Sequence, residues 1–359
     1  MTKRLGFKNL IFIAVMALLA LTLLLDIYVV KENLDPLIYL YIILGVVIGI
    51  YVVPLLYASR RLVRYYWDRA KKNRLAVGGL AFILFLILVA LIGPFFTFDP
   101  TAANFEKKNL PPLGFSIEES LYDSRTGQFI SRVITGTSEH PLGTDDKGRD
   151  LLAMIVSGAR VSLQVGLFAT GIAIALGALI GVTAAYLGGK VDNILMRFTD
   201  IMMTFPFFLL LVFIIFIFGP SLAFIVLVIG LTGWTGTARL IRSEALSLRT
   251  REFVMASKAL GASDSRIILS HLIPNVISLI IVIATLSIPG VILAEAALSF
   301  IGLGDPQVAS WGMVLRAGQQ NLDITWWVAV EPGIMLFLTV LAFNFFGDGL
   351  RDAFDPRSI

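Results

Sequence analysis

Eight long apolar segments dominate the sequence and restrict what it can fold into. A hydrocarbon core about 30 Å thick is crossed by a helix of roughly 20 apolar residues. Hydrophobic residues make up 57% of the 359 residues and charged residues only 15%, a balance typical of membrane chains rather than water-soluble domains. The sequence therefore predicts an all-α integral membrane protein with about eight transmembrane helices. The segments comprise residues 10–30, 37–57, 77–98, 161–187, 201–218, 222–240, 276–300 and 327–346.

The positive charges indicate how these segments are oriented. Eight crossings put both termini on one side, and 20 of the 29 Lys and Arg residues fall on that side. Because Lys and Arg accumulate in cytoplasmic loops, both termini are predicted to be cytoplasmic. A basic cluster between the second and third segments is expected to contact anionic lipid as a topology determinant, rather than nucleic acid. It comprises Arg60, Arg61, Arg64, Arg69, Lys71, Lys72 and Arg74.

The segments divide the chain into an N-terminal extension and a main domain. Residues 1–74 hold two apolar segments and the basic linker, and residues 75–359 hold the other six. Basic residues precede the first segment and no small-residue cleavage site follows it, so we expect a retained anchor rather than a signal peptide. Within the main domain, residues 99–160 are expected to form a folded external cap or gate, and residues 239–274 a cytoplasmic loop.

The sequence contains no recognisable catalytic motif. The nearest approach to a phosphate-binding loop is Gly188, Gly189 and Lys190, but Ala184 stands where the first glycine is needed and Val191 where a magnesium-binding hydroxyl is needed. The absence of cysteine excludes disulfides, thiolate metal sites and cysteine nucleophiles. There is no nucleophile elbow, and neither histidine lies in a motif. We therefore predict no catalytic residue and no cofactor bound by this chain.

A turn-rich stretch, HPLGTDDKGRD, precedes the fourth apolar segment. Its proline and glycines favour a turn, and Thr144, Asp145 or Asp146 is predicted to cap the following helix, where acidic residues suit the positive end of the helix dipole. The alternative is a metal site of His140 and the nearby aspartates, but their spacing matches no metal signature and no metal is predicted. The candidate gate residues are His140, Pro141, Leu142, Gly143, Thr144, Asp145, Gly148, Arg149 and Asp150.

Polar and small residues inside the apolar segments are further candidates. Glu295 is a carboxylate well inside a span, and such a group is by default a functional candidate. A structural role facing a partner subunit or a cavity is favoured over proton coupling, which usually needs more than one such group. Gly177 and Gly181 form a small-xxx-small pair that allows close helix approach. Trp326 and Trp327 are expected to be interfacial anchors.

The loop at residues 239–274 carries the most specific pattern, REFVMASKALGAS followed by HLIPN. A short helix over about residues 251–260 is broken by Gly261, which permits a left-handed turn, and a second helix returns to the membrane at Pro274. The pattern resembles the signature of ABC-importer membrane subunits, whose short helix docks in a cleft of a separate ATPase. The resemblance implies ATPase-coupling residues at Arg251, Glu252, Phe253, Met255, Ala256, Ser257, Ala259, Leu260, Gly261, Ala262 and Pro274.

Four positions depart from that signature. The loss of its glutamate removes any contact made by that carboxylate, although a helix with the right shape and flanking charges can still couple. Ala256, Gly261 and Pro274 match the signature. The departures are Met255 at the glutamate, Ser257 at the second alanine, His271 at the isoleucine and Ile273 at the leucine.

Other stretches resemble the second permease subunit, the C type, of dipeptide and oligopeptide importers. HPLGTDDKGRDLLAMIVSGARVSLQVGL, MRFTDIMMTFPFFLL, LAEAALSFIGLG, SWGMVL and GDGLRDAFDPR occur in that family's order, within about residues 77–357. The resemblance implies a type I ABC-importer permease core of six spans in the cell membrane. It also implies a homologous second permease, two ATPase subunits that bind ATP and magnesium, and an extracytoplasmic substrate-binding protein.

Three other functions remain as alternatives. Importers for nickel or oligosaccharides share the permease pattern, since specificity resides largely in the binding protein. A secondary transporter or channel would show paired intramembrane charges or inverted repeats. A membrane-embedded enzyme would require a set of catalytic groups. The extra spans in residues 1–74 are expected to pack at the periphery of the complex.

Overall fold

The computed structural model describes residues 66–123 and 128–354. The predicted segments at residues 10–30 and 37–57 lie outside the described residues. The chain divides into two units, Met1–Lys72 and Asn73–Ile359.

The described part of the first unit is a short helical stretch over residues 66–70. Ala70 is buried. Lys71 forms an exposed ion pair with Asp68, one helical turn earlier, at 2.6 Å.

The second unit is built mainly of helices. The first of them begins after an N-cap residue, because the Asn73 side chain accepts hydrogen bonds from the backbone N–H groups of Leu75 and Ala76. Within the described residues the helices are α1 (Arg74–Ile92), α2 (Leu151–Leu187), α3 (Gly189–Thr204), α4 (Phe207–Phe218), α5 (Leu222–Thr232), α6 (Trp234–Arg249), α7 (Glu252–Ala259), α8 (Asp264–Ile267), α9 (Ile273–Phe300), α10 (Trp311–Gln320) and α11 (Trp326–Phe354).

Five helical paths in the described residues are long and apolar enough to cross a membrane, and a bent pair of helices makes a sixth. The five are α1, α2, α5 joined to α6, α8 joined to α9, and α11. These six paths correspond in order to the six apolar segments predicted for the main domain. The all-α membrane fold predicted from the sequence is therefore confirmed.

The bent pair differs from the straight span predicted at residues 201–218. Helices α3 and α4 meet at an angle of 79°. Phe205 is extended, with φ −80° and ψ 127°, because the following Pro206 disfavours helical backbone at the preceding residue. Only the first four residues of the predicted span, 201–204, therefore belong to α3, which is amphipathic and starts at Gly189.

The residues predicted as an external cap contain a β-hairpin. Strands β1 (Ser116–Asp123) and β2 (Gln128–Thr135) pair antiparallel, with Ser116 opposite Thr135. Gly136 ends the hairpin where the backbone of Pro112 passes too close for a side chain. This small sheet is an addition to the helical fold that the sequence reading did not include.

Helices α2 and α6 lie together at the centre of the unit. A β-carbon at Gly177 would lie 2.7 Å from Thr237, and one at Gly181 would lie 2.5 Å from the backbone oxygen of Ala238. The two glycines therefore let the helix backbones touch, as the small-xxx-small pattern predicts.

The sequence predicts a second helix after Gly261 that returns to the membrane at Pro274, and the structure has such a helix. The helix begins ten residues earlier, at Asp264, and runs to Phe300 as one apolar path of 37 residues. A π-helical turn at Ile268–Leu272 precedes the proline, which occupies the first turn of α9. Proline has no N–H to donate to the preceding turn, and the π-helical turn changes the hydrogen-bond pattern just before it, so the helix continues through the proline.

Candidate functional site

Helix α7 and the turn after it form the candidate coupling surface. The helix spans Glu252–Ala259, within one residue of the predicted bounds at each end. Gly261 has φ +78°, and its N–H donates to Lys258 O at 3.0 Å while Ala262 N–H donates to Ser257 O at 3.1 Å. This pair of bonds is a Schellman ending. The predicted glycine-broken helix is therefore confirmed as local structure.

One side chain anchors α7 and others project from it. Val254 is only 2% exposed and packs with Leu248, Ile267 and Leu272 in one buried cluster. Leu260, at the end of the helix, is 89% exposed. Phe253 and Met255 are also exposed. The candidate coupling surface thus consists of exposed apolar side chains on a helix that the buried Val254 anchors to the rest of the unit.

Two of the four departures from the importer signature contact each other. The hydroxyl of Ser257 lies 3.3 Å from Nε2 of His271, and it also donates to Phe253 O at 2.9 Å. The rings of Phe253 and His271 are 6.5 Å apart. The serine and the histidine therefore tie α7 to the π-helical turn that follows it, where the signature has alanine and isoleucine.

Polar contacts connect the α7 region with the end of α2. The Tyr186 hydroxyl donates to Asp264 at 2.8 Å. Arg249 donates to the backbone oxygen of Ala185 at 3.2 Å. Both ends of the segment that contains α7 are thus bonded to the same turn of α2.

Helix α3 is fixed to α6 by two ion pairs and a ring stack. Arg242 bonds both oxygens of Asp192, at 2.6 and 2.5 Å, and Arg239 bonds Asp200 at 2.5 Å. The rings of Phe198 and Trp234 stack with centroids 5.8 Å apart. The sequence reading missed these contacts, which join residues 36 to 50 positions apart in the chain.

The candidate gate residues form a tight turn ahead of α2. Gly143 and Gly148 have φ +83° and +73°. Asp145 accepts bonds from the backbone and side chain of Arg149, at 2.8 and 2.7 Å. Thr144 accepts from Leu110 N–H at 2.9 Å, which holds this turn against the start of the same segment.

The residue that caps α2 is Asp150, so the expectation of Thr144, Asp145 or Asp146 was wrong. Asp150 accepts a bond from Ala153 N–H at 2.8 Å and lies 2.9 Å from Nδ1 of His140. The side chains of Thr144 and Asp145 are bonded elsewhere, Thr144 to the backbone of Lys107 and Leu110 and Asp145 to the backbone N–H groups of Lys147 and Arg149. Position 150 is the last residue before the helix and has the extended backbone of a cap.

The charged groups beside His140 are engaged with one another. Lys107 lies 2.6 Å from Glu139, and this hydrogen bond and positive charge hold the pKa of the Glu139 carboxyl below its ordinary value. In the part of the chain that the structure describes, no three His, Asp or Glu side chains converge as a metal site would require.

Two residues of the spans are placed differently from expectation. Glu295 is 1% exposed within this chain and accepts a bond from Ser299 at 2.6 Å, so it does not face a partner or a cavity. The reason is the close packing of Gly312 on Ala296 and Ser299. Trp327 is not an interfacial anchor, since it is fully buried and donates to Thr144 O at 3.1 Å.

A half-open cavity of about 500 Å³, called the central cavity below, lies between the spans. It is bounded by α2, by the bend between α3 and α4, by the junction of α5 and α6 at Gly233, and by α9. No charged residue lines it among the described residues, and its hydroxyl groups belong to Thr170, Thr232, Thr235, Thr237 and Ser287. The sequence reading missed the cavity, although glycines and hydroxyl residues interrupt the apolar segments at these places.

These features define a class of protein. Apolar helical paths packed around a cavity with no charged lining residue, together with a projecting apolar turn, are features of a polytopic membrane transport subunit. The chain belongs to the family of binding-protein-dependent transport system inner membrane components, whose family model matches residues 173–359. The N-terminal TM domain of oligopeptide transport permease C matches residues 61–112. The chain is therefore a multi-pass inner-membrane permease and a non-catalytic transport subunit.

Similar proteins carry peptide-transport names. The oligopeptide transport system permease protein OppC of Haemophilus influenzae is 37% identical over 82% of this chain and 89% of its own length. The dipeptide transport system permease protein DppC of Bacillus subtilis is 38% identical over 81% and 84%. A solved methionine ABC transporter, MetNI, in an inward-facing conformation has a TM-score of 0.47 at 20% identity, covering 56% of this chain and 97% of the matched chain.

Proposed function

We propose that the chain is one of two membrane-spanning subunits of an ATP-driven importer of dipeptides and oligopeptides. The observation that carries this proposal is similarity to named oligopeptide and dipeptide permeases at 35% to 39% identity over 81% or 82% of the chain. The same names favour peptides over nickel or oligosaccharides as substrate.

The proposed complex contains a homologous second permease, two ABC ATPase subunits and an extracytoplasmic substrate-binding protein. ATP and magnesium belong to the ATPase subunits, and this chain binds no cofactor of its own. Both termini and α7 face the cytoplasm, while the hairpin and the gate residues face the binding protein. Residues 75–359 supply the permease domain, and residues 1–74 add two peripheral spans that contact lipid.

In this proposal the apolar tip at Leu260 inserts into a cleft of the ATPase. The side chain is 89% exposed, and full burial of a leucine side chain contributes about 1.5–3 kcal/mol. ATP-driven closure of the motor pushes on α7 and turns the pathway outward to accept substrate. Hydrolysis then restores the inward state.

Replacement of the tip by Leu260→Asp tests the coupling assignment. A carboxylate desolvated in an apolar cleft is costly, so we expect the ATPase subunits to bind at least tenfold more weakly, which corresponds to about 1.4 kcal/mol. The measurements are co-purification of the ATPase subunits and peptide-stimulated ATP hydrolysis in the reconstituted complex.

The matched control is Leu113→Asp. Leu113 is also exposed, at 56%, but lies in the segment proposed to face the other side of the membrane. Co-purification and stimulation should match the wild type in this variant. Full ATPase binding by Leu260→Asp would remove α7 from the proposed interface.

The substrate is tested by uptake into proteoliposomes that hold the four kinds of subunit. ATP-dependent uptake of a mixed-length peptide pool would support the proposal. Uptake of nickel or an oligosaccharide without uptake of peptide would keep the architecture and overturn the substrate.

A further inference from the structure

The central cavity lies at mid-depth of the helical unit. Thr170 is near the middle of the 37-residue α2, and Gly233 interrupts the 28-residue path of α5 and α6 close to its midpoint. The bend between α3 and α4 closes another side. Interrupted helices at the bilayer midplane are where transporters commonly bind substrate. The volume of about 500 Å³ lies in the usual range for ligand sites, roughly 300–1,000 Å³.

The cavity holds a hydroxyl group without a partner. Thr170 is 3% exposed, and its Oγ1 has no hydrogen-bond partner in the part of the chain that the structure describes. Buried hydroxyl groups in helices commonly bond a carbonyl in the preceding turn, as Thr232 does with Val228 O at 2.6 Å. An unpaired buried hydroxyl costs free energy. The Thr170 oxygen is itself buried, so a ligand in the cavity pairs with it, and recovers that cost, when the side chain rotates about χ1 toward the cavity.

The lining identifies the chemistry of that ligand. The lining offers neutral oxygen acceptors and hydroxyl donors from Thr170, Thr232, Thr235, Thr237 and Ser287, and its other described residues are apolar or glycine. Such a surface matches the N–H and C=O groups of an extended peptide and is indifferent to the charge of its side chains. A divalent metal such as Ni²⁺ prefers imidazole, thiolate or carboxylate ligands, and the described lining contains none of them.

We propose that the central cavity is a peptide-backbone binding site on the transport path, in which Thr170 and Ser287 bond backbone groups of the substrate. This inference rests on the proposed peptide-import function and deepens it, because it assigns to the membrane subunit a recognition step that reads the backbone and not the side chains. A site of this kind lets one permease pass peptides of many sequences.

The first test fills the cavity. Gly290 lines it, and a β-carbon there would meet no atom within 4 Å, so the side chain of Gly290→Leu starts in open space at the cavity wall. Gly78→Leu is the matched control, since Gly78 lies in α1, has the same free space and does not line the cavity. In reconstituted complexes, Gly290→Leu should reduce peptide uptake at least tenfold and Gly78→Leu should leave it unchanged.

The second test removes the hydroxyl groups and uses a modified peptide. The probes are a tetrapeptide and its analogue with N-methylated backbone amides, which cannot donate hydrogen bonds. The wild type should import the unmodified peptide faster. In the double variant Thr170→Val with Ser287→Ala, the ratio of the two uptake rates should fall severalfold. The binding protein is the same in both complexes, so its own preference cancels in this comparison.

The outcomes separate the two proposals. If the wild-type complex imports no peptide, the proposed function fails and this inference fails with it. If the wild type imports peptide but the ratio is unchanged in the double variant, or if Gly290→Leu transports like the wild type, the backbone site alone is refuted.

Discussion

The close approach of α2 and α6 can be tested with a single methyl group. In Gly181→Ala the new β-carbon would lie 2.5 Å from the backbone oxygen of Ala238 and 3.0 Å from the backbone nitrogen of Arg242. Both neighbours are backbone atoms, so relief requires one helix to move. Overpacking of this kind costs about 1–3 kcal/mol.

Gly171→Ala on the same helix separates that cost from helix propensity. A β-carbon at Gly171 would meet no atom within 4 Å. Both variants gain the propensity of alanine over glycine, about 1 kcal/mol, so this gain cancels in their difference. We expect Gly171→Ala to be as stable as the wild type or more stable, and Gly181→Ala to be about 1–3 kcal/mol less stable than Gly171→Ala.

The measurement is the free energy of unfolding of the full-length chain in mixed micelles, from a titration with denaturing detergent followed by tryptophan fluorescence. Equal changes in the two variants would show that α2 and α6 do not touch through their backbones at Gly181. That result would refute the close contact of the two helices, whether both variants became more stable or less stable than the wild type.

Two further predictions concern polar contacts. Asp150→Ala removes the cap of α2 and leaves a buried histidine without its partner, so the same titration should show a loss of about 2 kcal/mol; a change below about 0.5 kcal/mol would contradict the cap assignment. Double-mutant cycles should give about 1 kcal/mol of coupling for the half-buried pair Asp192 and Arg242, and a value near zero for the exposed pair Asp200 and Arg239. The reverse order would show that burial does not decide the strength of these pairs.

Local signals in the sequence predicted local structure well. The bounds of α7 and the left-handed turn at Gly261 follow from a short helical stretch ended by glycine, and both depend only on neighbouring residues. The six spans of the main domain follow from apolar length alone. Gly177 and Gly181 were informative because their spacing puts them on one helix face.

Features that depend on distant residues were not predictable in the same way. Glu295 lies in an apolar segment, but its sequence position does not tell which neighbour covers it. In the structure, Gly312 of α10 packs against the neighbouring residues Ala296 and Ser299. The central cavity combines residues as far apart as Thr170 and Gly290. Hydroxyl residues are common in membrane helices because they can bond to their own backbone, so their presence did not indicate a shared site.

Helix α6 connects the candidate coupling surface with the central cavity. Its 16 residues give a length of about 24 Å at 1.5 Å per residue. Arg249, beside α7, lies at one end, and Thr235, in the cavity wall, lies near the other. Contact with α2 is backbone to backbone at Gly181, and α3 is attached through Arg242. Because α6 is held by backbone contact and by an ion pair, side-chain rearrangement alone can take up little of the proposed displacement of α7. The displacement is therefore expected at two places where the helices are interrupted, the bend between α3 and α4 and the junction of α5 and α6 at Gly233. Both places line the cavity.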